Sequence, residues 1–339
     1  MNRIAVFLFC LACLWAVSCT SPPARDKVPG ESHKADTTVT VIERLNRQIA
    51  SDSANPDHYY RRSLYYLDKK EINQALSDIG KAIGFNDKNS SYFVTLSDVY
   101  LAMGRIPSCL EALKKAESLD PANRDALLKM AEVYLYLRDY KNVQDYTKKA
   151  LEIDRNSPTA YFIRGYAALE QGDTSLAVQN FQRTVDLDQN HYGASIQLGG
   201  LFAEKNPALA AGYFQSAIRI DPNRPEGYYL LGFLYQNQEN IDKAIAAYEK
   251  LIVIAPEYKE AYYNLGYVNL VYTNDFEASV RYFSQAVLLD SKYTDAFFNR
   301  GYSYELMGDV VNARKDYLRA LEITPNYENA INGLNRLDK

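Results

Sequence analysis

The sequence predicts an all-α fold, a solenoid of antiparallel helix pairs. Apolar residues recur at helical spacing, a small residue returns about every 34 positions on that apolar face, and proline or short polar runs break the pattern between helices. The unit is plainest from Pro225 to Tyr258. Tyr228, Leu231, Gly232 and Tyr235 fall at i, i+3, i+4 and i+7, on one helical face. After the polar run QNQEN, Ala244, Tyr248 and Leu251 make a second stripe. Pro225 stands where a helix start tolerates proline, and Pro256 ends the second helix. Gly232, set among large rings, lets another helix come close.

Taken in order, residues 1–18 read as a signal peptide: Arg3 gives a positive start, Ile4 to Val17 is apolar but too short to span as a mature helix, and Ala16-Val17-Ser18 supplies small residues for cleavage. Export is expected. Ala16-Val17-Ser18-Cys19 resembles the lipobox of bacterial lipoproteins, although most have leucine where Ala16 stands. That resemblance implies a palmitate-type lipid on Cys19. An ordinary secretory cleavage fits the same residues and leaves a soluble secreted product. Thr20 is not aspartate, the residue that favours inner-membrane retention in such lipoproteins, so the resemblance implies an outer-membrane protein facing the periplasm. Residues 19–36 are the lipidated cysteine and a flexible tether, rich in proline and charge. Cys10 and Cys13 fall in the signal, so Cys19 and Cys109 remain and no disulfide framework is indicated.

Residues 37–55 predict an N-terminal capping helix with Val41, Ile42, Leu45 and Ile49 as its apolar stripe. About eight repeats follow over 56–327. Their small residues are Ser63, Ser97, Ala131, Gly165, Gly199, Gly232, Gly266 and Gly301. A large apolar residue leads each first helix at Tyr59, Phe93, Leu127, Tyr161, Tyr228, Tyr262 and Phe297, with Ser195 the exception. The fifth repeat is one residue short near Lys205-Asn206-Pro207 and the seventh one long near Val271-Tyr272-Thr273. Residues 328–339 predict a C-terminal capping helix with Ile331, Leu334 and Leu337 inward.

This pattern resembles the tetratricopeptide repeat, in which an aromatic, leucine, glycine and tyrosine on one helix face alanine, aromatic and alanine on the next before a closing proline. Tyr228, Leu231, Gly232, Tyr235, Ala244, Tyr248, Leu251 and Pro256 occupy those places, with Leu251 for the last alanine. The resemblance implies a right-handed superhelix whose first helices line a concave groove and hold a partner segment. The residues one and five places after the leading aromatic tend to face that groove: Tyr229, Phe233, Tyr263, Tyr267, Phe298 and Tyr302 in three successive repeats. Earlier repeats are mixed, with Tyr60, Phe162 and Tyr166 but also Leu64, Val94, Asp98, Leu128, Glu132, Ile196 and Gly200. Rings at helical spacing also suit a packed core. A carboxylate clamp is not supported, since only Asn264 and Asn299 echo its polar residues.

Nothing points to catalysis, a metal or a cofactor. His33, His58 and His191 never pair at i, i+4; no phosphate loop, nucleophile elbow or mature CxxC is present; and Cys109 stands where other repeats mostly have alanine. A formal charge of −4 gives no basic field for nucleic acid. The expectation is a non-catalytic scaffold in the cell envelope, resembling repeat-containing lipoproteins that act as adaptors. It binds an envelope protein or peptide segment, and self-association through a terminal helix is compatible with the pattern. A saccharide or small ligand in the same groove is the alternative.

Overall fold

The computed structural model describes residues 40–338. The expectations for the signal peptide, Cys19 and the tether concern residues outside that range. Every regular element among the described residues is helical, and the chain divides into two compact units, the first ending at Leu187 and the second beginning at Asp188.

The first unit opens with α1 (Val41–Ser51). Hairpins follow from α2 (Pro56–Asp68) and α3 (Ile72–Phe85), α4 (Ser90–Ala102) and α5 (Ile106–Leu119), α6 (Arg124–Tyr136) and α7 (Tyr140–Ile153), and α8 (Pro158–Glu170) and α9 (Thr174–Leu187). The second unit pairs α10 (Tyr192–Phe202) with α11 (Pro207–Ile220), α12 (Pro225–Asn237) with α13 (Ile241–Ile254), α14 (Lys259–Val268) with α15 (Phe276–Leu289), and α16 (Thr294–Leu306) with α17 (Val310–Ile323), then closes with α18 (Glu328–Leu337).

A contact between the small residue and the second helix holds each hairpin shut. A Cβ on Gly232 would lie 2.6 Å from the Tyr248 ring, on Gly199 2.4 Å from Phe214, on Gly266 2.8 Å from Phe283 and on Gly165 2.6 Å from Phe181. These rings rest directly on glycine, so no other residue fits without movement. Where the second helix offers Ile79, Leu113 or Thr147 instead, the small residue is Ser63, Ser97 or Ala131. The bulk of one helix thus dictates the smallness of the other.

The turns inside the hairpins follow the same period. Lys70, Gly104, Arg138, Gly172, Glu239, Asn274 and Gly308 all have positive φ, one in each hairpin except the fifth. The fifth lacks such a residue because it is one short: α10 ends at Phe202, and Asn206 caps α11 by accepting from Leu209. The seventh takes its extra residue as a π-helical turn, Asn269–Thr273, before left-handed Asn274.

The first hairpin of the first unit and the last of the second each contain an ion pair of the same kind, with its aspartate buried. Arg62 reaches both Asp78 oxygens at 2.6 and 2.8 Å, and Arg300 does the same to Asp316 at 2.7 Å twice. Both aspartates are buried, and repeat six fills the equivalent places with Leu231 and Ala247.

Two end-helix expectations are corrected. In α1 only Leu45 is buried and Val41 is exposed. In α18 the inward residues are Ala330 and Gly333, with Leu334 and Leu337 partly covered, while Ile331 is exposed. Gly333 lies against Tyr317, its Cβ position 2.5 Å from the ring, and this close approach turns Ile331 outward.

Candidate functional site

Each hairpin's first helix needs its free N-terminal amides satisfied, and the two units solve this differently. In the first unit the side chains of Asn55, Asn89, Asn123 and Ser157 accept from Asp57, Ser91, Ala126 and Ala160. In the second unit His191 caps α10 through Nδ1, but Arg224, Tyr258, Tyr293 and Tyr327 hold the equivalent places without any side-chain cap.

The three tyrosines reach instead to the preceding first helix. Tyr258 lies 5.6 Å from Tyr229, Tyr293 stacks on Tyr263 at 5.0 Å, and Tyr327 meets Phe298 edge-on at 5.7 Å. Tyr229, Tyr263 and Phe298 are also approached from below by the second-helix rings of Tyr248, Phe283 and Tyr317, at 6.4, 5.6 and 5.7 Å. One turn along, Phe233, Tyr267 and Tyr302 lie nearly parallel to them at 6.4, 6.5 and 6.3 Å. Three repeats therefore carry the same four-ring arrangement. All six residues singled out from the sequence are partly exposed, and Tyr229, Tyr263 and Phe298 are each backed by a second-helix ring.

Sequence reasoning missed Tyr258, Tyr293 and Tyr327. The signal was present, a tyrosine recurring 35 and then 34 residues apart directly before a first helix.

Burial raises the phenols of Tyr229, Tyr263 and Tyr293, and the Glu260 carboxylate adds to this at Tyr229 and Tyr293. Burial and its bond to Asp295 push Tyr327 up to about 12. All four therefore stay protonated at neutral pH and remain hydrogen-bond donors. Asn299 donates Nδ2 to the Tyr263 hydroxyl at 3.0 Å, whereas Nδ2 of Asn264, at the equivalent place one repeat earlier, is buried without an acceptor.

The first unit arranges the same positions otherwise. Val94, Leu128, Phe162 and Tyr166 are buried, and Asp98, Lys129 and Glu132 form an ion cluster, with Lys129 Nζ 2.8 Å from Asp98 and 3.8 Å from Glu132. Burial raises the Glu132 carboxyl despite Lys129. Cys109 is buried and its thiol is pushed up to about 11, mainly by desolvation, which removes the thiolate a nucleophile needs. Among the described residues no group of histidine, cysteine, aspartate and glutamate could hold a metal ion, and no helix is long and apolar enough to cross a membrane.

Models described as "Tetratricopeptide repeat" match residues 90–123, 128–192, 162–225, 201–266, 259–293 and 294–327, an unbroken run from 128 to 327. The chain belongs to the tetratricopeptide repeat family. It is 30% identical to the human protein O-mannosyl-transferase TMTC1 over 34% of this chain and 13% of that one. It is 26% identical to the human mitochondrial import receptor subunit TOM70 over 35% of this chain and 18% of that one. The chain thus spans under a fifth of the length of either relative. Among solved structures, the C-terminal part of a TPR repeat-containing protein from Cytophaga hutchinsonii aligns with a TM-score of 0.60 at 22% identity, covering 71% of this chain and 99% of that one. The APC/C hetero-tetramer Cut9-Hcn1 aligns with a TM-score of 0.50 at 16% identity, covering 88% and 59%. These likenesses support the fold.

Proposed function

We propose that this protein is a non-catalytic interaction scaffold whose second unit holds a partner segment on the face formed by α12, α14 and α16. The observation that carries the reading is the threefold four-ring arrangement, in which tyrosine replaces a helix cap and the outer rings remain partly exposed. Aromatic side chains offer large contact area at low entropic cost and dominate binding energy where they are held rigid. TOM70 is named as a receptor subunit; the transferase named among the relatives is matched over 13% of its length, which lends catalysis little support.

The reading includes a lipid on Cys19 and an outer-membrane position facing the periplasm, on the strength of the Ala16-Val17-Ser18-Cys19 segment. Detergent phase partitioning of the full-length product against Cys19→Ser tests this part: the parent should enter the detergent phase and the variant should not. For the scaffold itself, crosslinking in cells with and without Tyr263→Ala plus Tyr267→Ala is decisive. Captured proteins should be lost in the variant, and unchanged capture removes the rings from the account. A saccharide on the same face is the second reading, favoured by the parallel faces of Phe298 and Tyr302, 2° apart.

A further inference from the structure

The acidic residues of the second unit's first helices lie beside the same rings. Glu260 and Asp295 are each the second residue of their helix, in α14 and α16. Asp295 accepts from the Tyr327 hydroxyl at 2.6 Å, and Tyr327 in turn touches Phe298. Glu260 stands at i, i+3 to Tyr263 on the same face of α14, and its charge also acts on the phenols of Tyr229 and Tyr293. Neither carboxylate forms an ion pair with a described lysine, arginine or histidine. The neighbouring cations are committed: Lys259 lies 2.5 Å from Asp290, Arg300 is bound to Asp316 and Arg336 to Glu305.

This unit already handles cations in one way, by setting them over a ring next to a carboxylate. Lys259 lies 5.2 Å from the centre of Tyr293 while paired with Asp290, and Arg336 lies 5.4 Å from Tyr302 while paired with Glu305. Ring faces carry negative potential, and a nearby carboxylate adds to it. Glu260 and Asp295 also lie by rings, but no described cation comes within ion-pair distance of either; Lys259 feels the Glu260 charge while bonded to Asp290.

We infer that the partner segment is basic: an extended stretch of protein bearing lysine or arginine, whose cations sit beside Glu260 and Asp295 against the rings of Tyr229 and Phe298. This rests on the proposed use of the α12, α14 and α16 face and adds the charge of what docks there. The ring faces grip the aliphatic stems, and the carboxylates select the heads.

The test is retention of a degenerate short-peptide library on the immobilised mature chain, compared with Glu260→Gln plus Asp295→Asn and with Tyr263→Ala plus Tyr267→Ala. Enrichment of lysine and arginine in the retained pool is expected. A peptide remade from that pool should bind about tenfold more weakly to the Glu260→Gln, Asp295→Asn variant, and its affinity for the parent should fall as salt rises. Both variants are checked by circular dichroism and thermal unfolding, and the carboxamides preserve size. Retention of neutral or proline-rich peptides that ignores the carboxamide changes but is lost in the tyrosine variant overturns the basic partner and leaves the ring face standing. Enrichment of aspartate and glutamate overturns the inference. Retention that neither variant alters overturns both readings.

Discussion

The first helices of the two units begin in opposite ways. In the first unit Asn55, Asn89, Asn123 and Ser157 close the helix start with a side-chain bond; in the second, Tyr258, Tyr293 and Tyr327 leave it open and stack on the helix before. A cap contributes about 1 kcal/mol, and an aromatic pair about 0.5–1.5 kcal/mol. The exchange is therefore close to neutral for folding, and stability alone does not account for it three times running. What it changes is the surface: capped helices present mixed or ion-paired residues, uncapped ones a row of supported rings.

What the units share comes first, because it carries the largest effect. Replacing Asp316 by alanine strands the half-buried Arg300 and is expected to cost about 2–4 kcal/mol in urea unfolding, as is Asp78→Ala in the first unit. Arg300→Leu with Asp316→Ala copies Leu231 and Ala247 of repeat six and should recover most of the loss. Next is the ring-on-glycine contact, which runs through the second unit and begins only at Gly165 in the first. Gly232→Ala pushes a methyl into Tyr248 and should cost about 1–3 kcal/mol by the same measurement. A neutral result would mean that the hairpin is looser than the 2.6 Å approach implies.

The cap exchange is then tested directly. Tyr293→Asn should restore the cap and leave stability within about 1 kcal/mol of the parent, while partner capture falls. Asn123→Tyr in the first unit should lower stability by about 1 kcal/mol without creating a binding face. If Tyr293→Asn leaves capture intact, the difference between the units is packing and nothing more.

The smallest effect concerns pH. The bond from Arg336, opposed by partial burial and helped by Tyr317, holds Glu305 below the usual glutamate value. A carboxyl lowered in the folded state stabilises above its unfolded value and loses that contribution as pH falls through the folded one. Arg336→Gln should therefore be less stable than the parent at neutral pH, and the gap should close in acid. A gap that persists in acid would mean that Arg336 acts through its 5.4 Å contact with Tyr302 instead.

The fold was legible because interlocking leaves a trace in one dimension: Gly165, Gly199, Gly232, Gly266 and Gly301 recur because rings must rest on them. The short fifth and long seventh repeats could be counted from the same marks, though the π-helical turn that absorbs the extra residue could not. Ile331 was misread because helical spacing alone does not reveal that Gly333 lies against Tyr317. Tyr258, Tyr293 and Tyr327 were passed over because a polar-tipped ring before a helix reads as part of a turn. Their partners lie about 30 residues back, across a contact that no local pattern encodes.

The most direct test of the account places a photo-crosslinking residue at Tyr267 in the second unit and, separately, at Glu132, the equivalent place in the first. By surface area Glu132 is the more exposed of the two and Tyr267 is partly buried, so access does not favour position 267. The account predicts a discrete protein adduct from position 267 in cells and none from 132. Equal labelling from both, or an adduct from 132 alone, would contradict it.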